Sequence, residues 1–180
     1  MTKQALSRRV NIVQGEFYVS QDPGVVLSTI LGSCVAACIR DPYAEAGGMN
    51  HFLLPGDDDF TSRQRAEHYG VHLMELLVNG LLQRGAQRNR LEAKLFGGAR
   101  TMRGLSDIGE RNADFAERFL RNEGIAIVGG SMRGGRGRRV QYWPVSGRAR
   151  QFMLPDGETT PDLVPAPLVQ PASSGSVEFF

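Results

Sequence analysis

Long hydrophobic runs are missing from this chain, and so is any cysteine framework. Only two cysteines occur in 180 residues, Cys34 and Cys38. Four positions apart, they cannot staple a loop-rich secreted fold, and such sparse usage points to a reducing compartment. No apolar stretch approaches the roughly 18–20 residues that a membrane-spanning helix needs. The opening Met-Thr-Lys-Gln-Ala-Leu-Ser-Arg-Arg is not followed by the apolar segment of a signal peptide. A cytoplasmic protein with no membrane insertion is expected. Strong charge of one sign is also absent: 21 Lys and Arg against 19 Asp and Glu leave a net charge of +2. That is too little to argue for nucleic acid. No His and Cys cluster has metal-ligand spacing, so neither a metal nor an organic cofactor is expected.

What is present is enough for one domain. The composition is 41% apolar, which suits a single globular unit with a real core. Residues up to about Gln14 read as loose apart from Val10–Val13. Strands are predicted at Glu16–Val19, Val25–Leu31, Cys34–Ile39, Met49–Leu54, Leu91–Phe96 and Ile125–Val128, the last of them buried. Apolar residues at Leu73, Met74, Leu77, Val78, Leu81 and Leu82 recur at helical spacing within Arg63–Arg84. A second helix starts at Ser106 or Asp107 and carries Ile108, Asn112, Phe115 and Phe119 on one face. Arg139–Trp143 and Arg148–Met153 form a hairpin. Hairpins beside helical crossovers imply an α/β fold with a mixed, partly antiparallel sheet. The domain is placed at residues 1–154. Residues 155–180 read as a Pro/Ser/Gly-rich flexible tail ending in the apolar Val177-Glu178-Phe179-Phe180.

Cys34 and His51 carry the chemistry. A thiol is a strong nucleophile only as thiolate, and a neighbouring imidazole generates one at neutral pH. An antiparallel hairpin pairing Arg40 with Glu45 would set Cys34 directly opposite His51. Strand parity, counted back from Cys34, selects Ser28 as the hydroxyl that orients the imidazole, with Thr29 the alternative. Backbone N–H groups at Gly32 and Ser33 are candidates for an oxyanion site, and Asn50 is a candidate substrate contact. Cys38, inside Val-Ala-Ala-Cys-Ile, reads as a core residue. His68 and His72 lie at i, i+4 with no intervening Glu, which describes a helix face rather than a metal site. Asp57-Asp58-Asp59 reads as a solvated loop. Arg133-Gly134-Gly135-Arg136-Gly137-Arg138-Arg139 reads as a flexible loop of solvated arginines, with an acidic helix or a nucleic acid as its rival partners.

Leu31-Gly32-Ser33-Cys34-Val35 and Gly47-Gly48-Met49-Asn50-His51-Phe52-Leu53-Leu54-Pro55 resemble the CheD family of chemoreceptor glutamine deamidases. The likeness continues through Tyr69-Gly70, Glu92-Ala93-Lys94-Leu95-Phe96-Gly97-Gly98-Ala99, Ile108-Gly109-Glu110-Arg111-Asn112 and Gly137-Arg138-Arg139-Val140, so it spans about residues 10–153. It implies an α/β layered sandwich with helices packed outside. It further implies a catalytic set of Cys34 as nucleophile, His51 as base and Ser28, next to Thr29, as the third member. The reaction implied is hydrolysis of glutamine side chains on methyl-accepting chemotaxis receptors, through a cysteine thioester and without a cofactor. Receptors are the implied partners, with a chemotaxis phosphatase as a second one. The rival reading is a non-catalytic adaptor for the same partners. Met132 departs from the family pattern, in which many members carry Asp before the paired glycines.

Overall fold

A computed structural model describes residues 7–56, 59–101 and 106–155. In chain order the elements are β1 (Arg8–Asn11), β2 (Phe17–Ser20), β3 (Val25–Leu31), β4 (Val35–Asp41), β5 (Ala46–Asn50), α1 (Phe60–Leu82), β6 (Glu92–Gly97), α2 (Ser106–Asn122), β7 (Ala126–Met132), β8 (Arg138–Tyr142) and β9 (Ala149–Met153). They build two mixed sheets. The outer sheet runs β1-β3-β8-β9 and the central sheet β2-β5-β4-β6-β7. Only β1–β3 and β6–β7 pair in parallel. This is the α/β layered arrangement expected, with both helices on one side.

The layering follows from the residue pattern of β4. Val35, Ala37 and Ile39 face α1 and α2, in a core with Phe52, Met74 and Leu77. The alternating set Cys34, Ala36 and Cys38 faces the outer sheet, in a second core with Leu27, Leu31 and Tyr142. A strand covered on both faces has no polar side to show, so its apolar run is unbroken. Small residues let the layers approach. A Cβ on Gly48 would fall 2.5 Å from the Tyr18 carbonyl oxygen and 2.8 Å from Leu77.

Three expectations change. Residues 8–11 are not loose, because β1 adds to β3 with Arg8 opposite Val25 and Asn11 opposite Ser28. The strand expected to be buried after Gly124 is instead an exposed edge, with Ile127 45% and Val128 50% accessible. It also runs on to Met132, which shortens the glycine–arginine loop. That loop is not a set of solvated arginines. Arg133 is bound to Glu110, Asp114 and Glu117 of α2. The buried Arg138 donates to the carbonyls of Ser131 and Arg133, and Arg136 to that of Leu154. Of the acidic run, Asp59 accepts from the Ser62 N–H as the N-cap of α1, while Asp57 and Asp58 lie outside the described residues. So does the tail from residue 156 on. His68 and His72 are exposed on α1. Among the described residues, no helix is long and apolar enough to cross a membrane.

Asp41 closes the far end of β4. Its fully buried carboxylate accepts from the Arg90 side chain at 2.8 Å, and from the N–H groups of Gln87, Tyr43 and Ala44. Burial alone would raise its pKa. The four hydrogen bonds outweigh it and hold the carboxyl below the usual range. A carboxyl depressed in the fold stabilises above its unfolded pKa of about 3.9, and that contribution is lost as pH falls through the folded value. Urea unfolding across pH is the check. Asp41→Asn is expected to lose about 2 kcal/mol at neutral pH and to flatten the fall in stability below about pH 4.

Candidate active site

The chain changes sheets between β3 and β4, and Gly32-Ser33 makes the crossing. Three successive carbonyls of that turn are gripped from one side. Ala99 N–H donates to Gly32 O at 2.8 Å, Asn112 Nδ2 to Ser33 O at 2.8 Å and Gly98 N–H to Cys34 O at 2.7 Å. This grip needs glycine. A Cβ on Gly97 (φ +105°) would fall 2.1 Å from Cys34 O, and one on Gly109 would fall 2.4 Å from Ala99 O. The described residues have no cis peptide bond. Each N–H therefore points opposite to the carbonyl of its own peptide group. The N–H groups of Ser33 and Cys34 are thus directed away from α2.

His51 is reached from the next strand. Val35 and Phe52 exchange both backbone hydrogen bonds, at 3.0 and 2.9 Å. This continues the β4–β5 ladder in which Cys38 faces Met49 and Arg40 faces Gly47. The expected register, Arg40 with Glu45, is two residues off. The reason is a turn that spends its residues at Pro42–Glu45, where Glu45 takes a positive φ of 50°. Carried one residue past the Val35–Phe52 bridge, that register sets Cys34 across from Leu53, in the same core, and makes His51 its diagonal neighbour. Such neighbours lie roughly 7–8 Å apart along the backbone, within reach of an imidazole. The His51 backbone is fixed on its other side by Glu16 O and Gly15 N–H.

The hydroxyl beside the imidazole belongs to Thr29. Its Oγ1 lies 2.8 Å from His51 Nδ1 and donates to Ile12 O at 2.7 Å. A threonine has one hydroxyl proton. With that proton on Ile12 O, Nδ1 is the donor to Thr29 and Nε2 keeps the lone pair. Ser28 is on the other face of β3, in register with Asn11 and Gln141. The parity count that selected Ser28 assumed one continuous strand, and the Gly32-Ser33 crossing resets it.

Asn50, expected at the substrate, is turned the other way. Its Oδ1 accepts from Ala37 N–H at 3.0 Å, and its amide lies against Leu73 and Met74 of α1. The geometry gives it a structural place under the helix. Asn112 has the opposite history. In the sequence it stands on a helix face and in a family segment with no role given, yet it is fully buried and donates to Ser33 O while its Oδ1 accepts from Leu54 N–H at 2.9 Å. One side chain therefore ties the cysteine turn to the segment that follows His51. The signal was a lone amide on an otherwise apolar helix face.

The two thiols differ in surroundings. Burial pushes the Cys38 thiol well above the usual range, only partly offset by Lys94, which keeps it protonated and inert. Cys34 is equally enclosed, but it shares its face with His51. A cavity of about 360 Å³ is lined by the buried His51, Thr29 and Ser28 together with the exposed Arg9 and Arg139. Cys34 does not line it. Among the described residues, no group of three or more His, Cys, Asp or Glu could hold a metal ion.

The family model described as CheD chemotactic sensory transduction matches residues 53–151. Its match begins just beyond His51. A relative from Rhizobium johnstonii, named "Probable chemoreceptor glutamine deamidase CheD", is 57% identical over all of both chains. Another of that name, from Acidiphilium cryptum, is 60% identical over 97% of this chain and 94% of its own. The chain belongs to the CheD family. A weaker likeness links it to a solved Bacillus licheniformis hypothetical protein YfiH, with TM-score 0.43 and 12% identity over 71% of this chain and 60% of that one.

Orientation of the imidazole through Thr29 has a measurable consequence. In a Cys38→Ala background, the ratio of thiolate to thiol at Cys34 at neutral pH, read by ultraviolet absorbance, is expected to fall about 10- to 100-fold in Thr29→Val, the worth of a hydrogen bond to a charged group. Ser28→Ala is expected to stay within about twofold, because it removes no contact to the ring.

Proposed function

We propose that the protein is a chemoreceptor glutamine deamidase acting from the cytoplasm, with Cys34 as nucleophile, His51 as general base and Thr29 as the residue that orients it. The observation that carries this reading is the 2.8 Å contact between Thr29 Oγ1 and His51 Nδ1, on the face that Cys34 shares. Family membership supports the substrate class, since the curated relatives carry the deamidase name.

The steps balance with the chain's own groups. His51 Nε2 takes the Cys34 proton, and the thiolate attacks the carboxamide carbon of a receptor glutamine. The N–H groups of Ser33 and Cys34 are the candidates to hold the oxyanion that forms. The imidazolium returns its proton to the departing nitrogen, and ammonia leaves a thioester on Cys34. Water, deprotonated by His51, attacks that thioester. Glutamate departs and the thiol is restored. While the ring carries its second proton, Nδ1–H continues to donate to Thr29, whose hydroxyl donates to Ile12 O. The positive charge is thereby spread along a buried hydrogen-bonded chain. The product carries a new negative charge at a site where receptor methylation later acts.

One observation favours a second reading. Cys34 is fully enclosed, as suits an adaptor that binds receptors or a chemotaxis phosphatase without turnover. Mass spectrometry of a receptor cytoplasmic fragment separates the two. Incubation with the wild-type protein is expected to add about one dalton at specific glutamines, as amide hydrolysis requires, and Cys34→Ala to add none. An unchanged fragment with wild type would remove the enzyme reading. A Cys34→Ala strain with normal chemotaxis would install the adaptor.

A further inference from the structure

The arginines of this protein divide into two populations. One group is paired with carboxylates: Arg40 with Glu92, Arg90 with Asp41, Arg88 with Glu75 and Glu123, and Arg133 with three carboxylates of α2. The outer sheet is different. Its four strands, RRVN, VVLSTIL, RRVQY and ARQFM, carry five arginines and no Asp or Glu. In a chain whose net charge is only +2, positive charge has been gathered on one layer.

Register shows where that charge points. Val25, Leu27, Leu31, Val140 and Tyr142 fill the core between the sheets. The alternate residues therefore form the far face: Arg9 beside Val26, Asn11 beside Ser28, Arg139 beside Ile30, and Arg150 beside Gln141. Arg9, Arg139 and Arg150 are all exposed. None of the three makes an ion pair among the described residues, and Arg150 stacks on the Phe152 ring at 4.7 Å. Arg9 and Arg139 line the same cavity as His51 and Thr29. Exposed cations without counter-ions beside the cavity that the imidazole lines attract an anionic partner and set its orientation.

We propose that the far face of the outer sheet, through Arg9, Arg139 and Arg150, docks an acidic segment of the protein substrate and delivers a flanking glutamine to the cavity. The inference rests on the deamidase reading for its chemistry, and it adds the substrate's charge pattern: carboxylates beside the glutamine. Exposed charge pairs are individually weak. Three acting together are expected to bring selectivity for acidic neighbours of about tenfold, with marked salt dependence.

The test uses two helical peptides with the same central glutamine, one flanked by Glu and one by Gln at the same positions. Wild type is expected to turn over the acidic peptide with a kcat/KM about tenfold higher, and the advantage is expected to fade as salt is raised. In R9E/R139E the preference inverts, and a Lys-flanked peptide restores turnover. That rescue excludes misfolding as the cause. Equal kcat/KM for the acidic and neutral peptides in wild type would overturn the docking face while leaving the deamidase standing. Fluorescence anisotropy with the full-length Cys34→Ala protein reads docking without turnover. Peptides that bind selectively yet are never hydrolysed by wild type would therefore remove the enzyme and keep the face. Tighter binding of a single-stranded oligonucleotide than of the acidic peptide, at matched charge, would also overturn the proposal, in favour of a nucleic-acid surface.

Discussion

Everything at the candidate site depends on one turn being held by its carbonyls. Gly32 O, Ser33 O and Cys34 O accept from Ala99, Asn112 and Gly98, so all three are committed on one side. Planar trans peptides then force the intervening N–H groups to the other. The same grip fixes the position of the Cys34 Cα, and Asn112 extends it to Leu54 N–H beyond His51. Cys34 and His51 are thereby carried on a single hydrogen-bonded frame rather than on two independent strands. Gly97 and Gly109 permit the approach because any side chain there would overlap a carbonyl oxygen. A site built this way is preorganised at the level of the backbone.

The contrast between the two cysteines follows from that frame. Both are buried in the same core, four residues apart on one strand face. Cys38 sits mid-strand opposite Met49 and Lys94, where desolvation keeps its thiol protonated. Cys34 sits where the strand begins, across from the residues that carry His51. Burial decides the first, and in the proposed mechanism His51 decides the second.

Much of this was legible in the chain. The helical spacing from Leu73 to Leu82 and the Pro144–Gly147 hairpin are local signals, and each marks a real element. The order of Gly32-Ser33-Cys34 and His51 marked the family and offered a candidate site, because a thiol and an imidazole have few ways of sharing chemistry. What failed was non-local. Parity from Cys34 back to Ser28 crosses a change of sheet that no residue announces, so Thr29 and not Ser28 meets the imidazole. Hairpin register rested on a turn whose left-handed Glu45 is not a usual turn residue. β1 owes its existence to pairing with β3, which a four-residue segment cannot reveal by itself. Asn112 looked like one member of a helix face, and only the tertiary fold gives its amide two backbone partners. The arginines of the late loop looked equivalent in sequence, while the fold neutralises Arg133 and buries Arg138 yet leaves Arg139 exposed.

The central claim is that Thr29-oriented His51 holds Cys34 as a thiolate. Ultraviolet thiolate absorbance, followed across pH in a Cys38→Ala background, tests it without requiring access to the buried sulfur. A thiolate already present at neutral pH is expected, abolished by Cys34→Ala and displaced to alkaline pH by His51→Gln. A Cys34 thiolate that appears only at alkaline pH, and is unmoved by His51→Gln, would contradict it.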